Sequence, residues 1–458
     1  MKESAFIRAL QKCCRNNELI KDSQYSKYYS FDAHFQGCTP LAVINVHDHT
    51  ELPCILKACI QHGMAVIPRG NGSGQTGGSV PIRQKSIILN FSPMKKIVSF
   101  NLLNRSIVVE PGIIIQELND YLHPHNLFFP PDPASKSIAT IGGAIAENAG
   151  GLRASQFGVT KNYVLALSGY TMNGEYHEFG SHTLKDVAGY NIKDLIIGSE
   201  GTLFIVTQAT LRLLPIPKVM ETLLVFFHNK HSFSAFLDFF HNYGYCASVM
   251  EIIDEPFLVE LKKLKIPLKI PHSTMSALLL EFDDYNPVSQ HNIRILKNFL
   301  DSAGISFVRT RSEQKREMLW NFRRGLSQLL RTIGEHKFNE DICVPLNHFI
   351  EFSDFCRQLS DEYHLPVYLF GHLGDGNIHL NIISNEMNPE IQQTVEIMRL
   401  LIFQKVVSLK GSLSGEHGIG LSKKKFLSCS LSPASIDILR QIKNVFDPYG
   451  LLNPEKIW

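Results

Sequence analysis

The sequence predicts an α+β protein of two main domains followed by C-terminal helices, and three observations carry that expectation. The stretch from Thr39 to Pro215 alternates strand-like and helix-like patterns and is rich in glycine. From Glu221 to Thr310, six segments read strand, helix, strand, strand, helix, strand, the split βαβ order of an antiparallel sheet with helices on one face. Long helical patterns then recur near 312–332, 389–410 and 432–446.

The elements follow in chain order. Residues 1–22 read as a short amphipathic helix, with Glu3 and Arg8 where a signal peptide needs an unbroken apolar core, so export is not expected. Residues 51–63 are helical in pattern, 65–68 and 86–91 are strand-like, and 106–126 reads strand then helix. Asn173-Gly174 between two extended runs is a hairpin signal. Pro215 and Pro217 punctuate the chain at a domain boundary. Beyond them, strands are expected at 221–227, 248–253, 275–282 and 305–310, with helices at 233–244 and 288–300. Residues 367–382 read as two strands joined by a Gly-Asp-Gly-Asn turn.

Composition excludes several classes. The 45 basic and 43 acidic residues leave a net charge of +2, which argues against a polybasic nucleic-acid or membrane-surface protein. No apolar run approaches the roughly 18 residues needed to span a bilayer. The nine cysteines are scattered without a Cys-x-x-Cys pair, which argues against a zinc ribbon, a thioredoxin motif or an iron–sulfur cluster in this chain. Reduced, mostly buried thiols in a cytoplasmic protein, peripheral at most to the inner membrane face, are expected.

Three glycine-rich segments point to a large anionic ligand. Residues 68–79 contain Gly72-x-Gly74-x-x-Gly77, which formally matches the dinucleotide fingerprint. The required helix is cut off by Pro81, and the first acid after the loop is Glu110, beyond the ~20-residue spacing that a ribose contact needs. Closely spaced glycines instead allow backbone N–H groups to form an anion nest. Residues 132–151 supply a second element, in which Thr140-Ile141-Gly142-Gly143 reads as a helix start with free N–H groups. Residues 196–207 supply a third, read as strand, glycine turn, strand.

In order and spacing these segments resemble the flavin-binding domain of the vanillyl-alcohol-oxidase, or PCMH-type, superfamily. Residues 185–207 are similar to the form found in glycolate oxidase flavin subunits and in D-lactate and D-2-hydroxyglutarate dehydrogenases. The resemblance covers about 38–458 and implies a helical lead-in at 1–37 and a two-subdomain FAD-binding domain at 38–215. It further implies a cap domain for substrate and metal at 216–445, and a tail at 446–458 returning to the FAD domain. FAD would lie against Pro68, Arg69, Gly70, Asn71, Gly72, Ser73 and Gly74, against Pro133, Ser135, Thr140, Gly142, Gly143, Asn148 and Gly150, and along Gly198, Glu200, Gly201 and Ile205. Members that attach FAD covalently through the first loop carry a histidine there; Asn71 and Ser73 imply non-covalent binding.

The C-terminal half carries a second constellation. His372 and His379 flank the tight turn, so that returning strands can aim both imidazoles into one space, and Glu416 and His417 lie in a further glycine-rich segment. Two imidazoles and a carboxylate suit a divalent metal, zinc first and manganese or iron as alternatives. Arg323 and Arg324 sit on a predicted helix one turn before Ser327, and arginine offers a bidentate fork to a carboxylate.

The family resemblance implies roles for these residues. It makes His372, His379 and Glu416 the metal ligands, His417 the catalytic base, and Arg323, Ser327 and Asn381 substrate contacts. Relatives that bind a distal carboxylate carry a lysine where this chain has Asn339, with Lys337 displaced by two. The expectation is therefore an FAD- and metal-dependent dehydrogenase of a small D-2-hydroxy acid, D-lactate or glycolate, with D-2-hydroxyglutarate the alternative. Electrons would pass to a quinone, cytochrome or flavoprotein, through a homo-oligomer or a complex with a separate iron–sulfur subunit. A non-redox flavoprotein similar to alkyl-dihydroxyacetone-phosphate synthases is the competing class.

Overall fold

The computed structural model describes residues 2–263, 269–285 and 290–458, and the chain divides into two compact units. The first comprises Met1–Gly151, Val159–Ile216 and Glu416–Trp458, the second Leu152–Gly158 and Pro217–Gly415. The chain passes from the second unit to the first at Gly415–Glu416. The physical reason is local. Glu200 accepts the backbone N–H groups of Ile419 and Gly420, and Thr76 O accepts from Leu421 N, so the segment after Gly415 is tied to the first unit.

Among the described residues the first unit holds a four-stranded sheet, a five-stranded sheet and a two-stranded pair, Leu127–Phe128 with Leu214–Pro215. Strands Ala42–Asn45, Ser86–Asn90 and Ala65–Arg69 pair in parallel, with Glu18–Ile20 antiparallel at one edge. Parallel strands need a crossover, and the helix Leu52–His62 supplies it, burying Leu52, Ile55, Leu56 and Cys59 before Gly63 ends it in the left-handed region. Ile97–Asn101, Ser106–Val109, Ile205–Arg212, Val164–Tyr170 and Tyr176–Gly180 form an antiparallel five-stranded sheet. The hairpin at Asn173-Gly174 is present as expected, pairing Tyr170 with Tyr176. The C-terminal tail closes this unit: Asn453 N donates to Val66 O at 2.7 Å, and Leu452 is fully buried.

The second unit is built on a seven-stranded antiparallel sheet. Its order across the sheet is Ser306–Thr310, Val219–Phe227, Ser276–Asp283, Val249–Ile253, Val367–His372, Asn377–Ser384 and His336–Cys343. The four expected strands and the helices Lys230–Asn242 and Gln290–Ser302 are present, but the helix Glu255–Lys263 falls between the second and third strands, so the succession is β-α-β-α-β-α-β where β-α-β-β-α-β was expected. Residues 288 and 289 of the predicted helix lie outside the described residues. The turn-linked pair at 367–382 and the helices Glu313–Ile333, Pro389–Ser408 and Pro433–Phe446 also stand as expected.

Four readings are corrected. The first strand expected in 196–207 is absent, since Ile196 ends the short helix Ile192–Ile196, which starts where the Asn191 side chain accepts from Asp194 N. A helix at Glu255–Lys263 has no counterpart in the sequence reading. The strand His336–Cys343 was likewise unforeseen, since Lys337, Asn339, Glu340 and Asp341 hide its two-residue period behind polar side chains. Finally, Cys13 and Cys54 are joined by a disulfide, where reduced thiols were expected; the helices Lys2–Cys13 and Leu52–His62 bring the two residues together.

The pairing leaves seven free cysteines. Alkylation of the unfolded chain without reductant should therefore label seven of nine, and all nine after reduction. Nine labels without reductant would refute the cross-link. Reduction of a link spanning 41 residues should lower stability by roughly 3–4 kcal/mol in urea titrations.

Candidate active site

In the first unit, the three glycine-rich elements line one cavity. Its walls include Pro68, Arg69, Gly70, Asn71, Gly72, Ser73 and Gly74 from the first loop, and Pro133, Ser135, Thr140, Gly142 and Gly143 from the second. Glu200 and Gly201 join them, as do Glu416 and His417. Gly70 lies so close to Thr140 that a β-carbon there would fall 2.2 Å from Thr140 Oγ1, so glycine lets the two loops meet. Asn148, Gly150, Gly198 and Ile205 do not line the cavity. Ile205 is fully buried in the core of the unit, and Asn148 accepts from Lys161 N at the end of its helix. Glu147, Phe204, Pro111 and Phe91 line it without having been foreseen.

The two loops differ in what they offer an anion. At the helix start, Ile141 N donates to Ile113 O, Gly142 N to Pro111 O, and Gly143 N to Thr140 Oγ1. The free N–H groups expected there are already used, so Thr140 caps its own helix. Among the described residues, the N–H groups of residues 70–76 donate to no protein acceptor. This glycine-rich run is therefore a set of unpaired backbone donors on the cavity wall, the physical requirement of an anion nest. A flavin dinucleotide, with a pyrophosphate and an apolar ring, fits a wall made of such donors beside Phe204, Ala144 and Ile145.

The segment that carries Glu416 and His417 is held by backbone bonds. Thr76 Oγ1 donates to His417 O at 3.0 Å, and Glu200 accepts from Ile419 N and Gly420 N at 2.7 Å each. His417 Nε2 lies 3.8 Å from Glu416 Oε1.

In the second unit, the strands Val367–His372 and Asn377–Ser384 run back to back across the turn. They bring His372 Nε2 and His379 Nε2 to 3.4 Å, with the rings nearly perpendicular. The far side of His372 is fixed by Glu251: Nδ1 and Oε1 are 2.5 Å apart. A carboxylate on Nδ1 sets the tautomer and leaves Nε2 as a lone-pair donor. Asp341, buried beside His379 with Oδ1 3.9 Å from Nδ1, accepts from Asn377 Nδ2, Ser414 Oγ and Gly415 N. Two Nε2 atoms facing one point, backed by buried carboxylates, suit a divalent cation.

Arg323 is not the free guanidinium expected. It is buried, its Nε donates to Glu251 Oε2 at 2.6 Å, its Nη2 reaches the same oxygen, and its Cζ lies 4.9 Å from the centroid of the Phe370 ring. Glu251 thus links Arg323 to His372. Ser327 Oγ accepts from Lys337 Nζ at 2.8 Å. Asn381 is fully buried; its Nδ2 donates to His379 O, and its Oδ1 has no hydrogen-bond partner among the described residues. Asp341 and Glu147 carry no local sequence signal, and Glu251 carries one. Glu251 sits in a run of apolar strand residues, and that anomaly is the one signal that could have marked it.

Known proteins bear on both units. Residues 40–180 match the model of an FAD binding domain, and residues 216–457 match the C-terminal domain of FAD linked oxidases. The chain is 32% identical to glycolate oxidase subunit GlcD of Bacillus subtilis, over 94% of this chain and 92% of that protein. It is 30% identical to a D-lactate dehydrogenase of Anaerostipes hadrus, covering 91% and 89%. It is 27% identical to a D-2-hydroxyglutarate dehydrogenase of Stutzerimonas stutzeri over the whole of both chains. Among solved structures, p-cresol methylhydroxylase with substrate bound gives a TM-score of 0.78 at 14% identity over 99% of this chain and 96% of that one. Alkyldihydroxyacetonephosphate synthase gives 0.76 at 17% over 99% and 85%. These two share the PCMH-type fold with this chain.

Removal of Glu251 would leave Arg323 buried without its counter-charge. Glu251→Ala is expected to destabilise the protein by about 3–5 kcal/mol in urea titrations. A loss under 1 kcal/mol would show that the pair is solvated and does not orient His372.

Proposed function

Because this chain belongs to the FAD-linked oxidase family, we propose that it is a dehydrogenase that oxidises a small D-2-hydroxy acid, D-lactate or glycolate, to the 2-oxo acid. We assign a divalent ion, zinc first, to His372, His379 and Glu416, and non-covalent FAD to the cavity of the first unit. The observation that carries this reading is the pair of Nε2 atoms at 3.4 Å with Glu251 on the far side of His372. Bound at these residues, the flavin would supply the acceptor for the C2 hydride and the ion would supply a Lewis acid for the substrate hydroxyl.

The chain's own residues supply the rest. His417 takes the hydroxyl proton at Nε2, which lies 3.8 Å from Glu416 Oε1. Asn381, whose buried Oδ1 has no hydrogen-bond partner among the described residues, supplies an acceptor. Arg323 works through Glu251, holding the carboxylate that orients His372, rather than by clamping substrate alone. Electrons then leave to a quinone, cytochrome or flavoprotein acceptor, with an iron–sulfur subunit as the proposed partner.

One observation favours a second reading, a dicarboxylic acid such as D-2-hydroxyglutarate. Burial, and then the charge of Arg331, push the Lys337 ammonium down to about 8. Its bond goes to Ser327 Oγ, and among the described residues no carboxylate pairs with it. Lys337, Asn339 and Asp341 alternate along one strand, so all three share a face with Asn381 and His379 opposite.

Purified protein should be yellow, release all its flavin on acid treatment, and carry about one divalent ion per chain. His372→Ala should lose the metal together with dye-linked turnover. In His417→Ala, flavin and metal should remain while substrate no longer bleaches the flavin; normal bleaching would remove His417 as the base. A panel of D-lactate, glycolate and D-2-hydroxyglutarate with an artificial acceptor decides the substrate. Should the diacid be preferred, Lys337→Met is expected to raise its KM by about 10- to 100-fold and to leave that of D-lactate unchanged.

A further inference from the structure

Two buried carboxylates beneath the His417 segment take no part in the proposed reaction. Glu147 ends the helix Ile141–Glu147, and its Oε2 is buried without a hydrogen-bond partner among the described residues. Glu200 is 5% exposed, and its two oxygens accept from Ile419 N and Gly420 N. The two carboxylates converge on Gly418. A β-carbon there would fall 2.5 Å from Glu147 Oε2 and 2.9 Å from Glu200 Oε1, while one on Gly78 would fall 2.9 Å from Glu147 Oε1. Gly418, at φ +80°, is thus the residue that lets its segment lie directly on the pair.

Neighbouring carboxylates away from water do not both ionise, because each charge raises the cost of the other. Glu200 is the better home for the charge, since it holds two N–H donors and feels Lys423 and Lys456. Glu147 has none of these, and burial, then Glu200, then Asp32 push its carboxyl well above the usual range. Burial also raises Glu200, against the pull of the two amides and the two lysines. Asp32 is itself engaged by Gly77 N at 2.7 Å, and Glu416 and His417 line the same cavity.

We propose that Glu147 and Glu200 share a single proton and act as one clasp that positions the segment carrying His417. Glu147 donates the proton to Glu200, and Glu200 in turn holds the amides of Ile419 and Gly420. A carboxylate has lone pairs enough for all three donors. The clasp is complete while the pair holds its one proton. It opens as alkali removes the proton and leaves two like charges facing each other. Glu147 and Glu200 are positioning residues, and the inference concerns the segment whether or not His417 is the base.

The test is hydrogen exchange, read by mass spectrometry on the purified flavin-loaded protein as a protection factor for a peptide spanning 416–421, over a pH series. The wild type should lose protection on the alkaline side. Glu147→Gln carries a donor that does not titrate and should keep its protection there. Glu147→Ala should be less protected at every pH, by about tenfold. Identical profiles for wild type and Glu147→Gln would overturn the proposal, as would unchanged protection in Glu147→Ala. If the alanine variant does not fold, the comparison of wild type with glutamine still decides. Failure of the substrate panel would leave this result standing, because exchange reads the segment and not turnover.

Discussion

The arrangement of the histidine pair depends on one buried carboxylate. Glu251 lies on the central strand Val249–Ile253, is fully buried, and takes Arg323 on one oxygen and His372 on the other. An isolated carboxylate in that position would be prohibitively costly, and so would an isolated guanidinium. Each is tolerated because the other is present. The remaining oxygen of Glu251 then has one useful partner, the Nδ1 of His372, and that bond decides which way the imidazole points.

The same device recurs across this face of the second unit. Glu281, also fully buried, accepts from Trp320 Nε1 and pairs with Arg316, both from the helix Glu313–Ile333 that carries Arg323. Asp341 collects Asn377, Ser414 and Gly415. The sheet is thus packed against its helix partly through ion pairs rather than wholly through apolar contacts. Such pairs add little net stability over a hydrophobic core. They do hold polar side chains in one rotamer, as a metal or substrate site requires.

The first unit solves a different problem, how to hold an anion without committing cations to it. Its loop at 70–76 leaves backbone donors unpaired, while the helix start at Thr140 consumes its own. Arg69, the nearest guanidinium, donates to Ser79 and to Phe31 O, so it braces the loop. Glycine and backbone geometry, more than charge, shape this cavity.

Much of this was legible from residue order alone. The period of apolar residues placed most strands of the second unit and several of the long helices, because an element must bury one face whatever its neighbours are. It did not place the helix Phe349–Tyr363 or the strands Ala42–Asn45 and Ile97–Asn101. Gly-Asp-Gly-Asn announced the turn that sets His372 opposite His379, and glycine density announced the loop at 70–76. What the order of residues could not decide was who pairs with whom. Glu251 meets His372 across 121 positions and Arg323 across 72, and Glu200 meets Ile419 across 219. Those partnerships follow from strand order and helix docking, which bring distant segments to within a hydrogen bond. That is why Arg323 read as a free cation from its local pattern, and why Glu147, Glu251 and Asp341 came into view only in the folded chain.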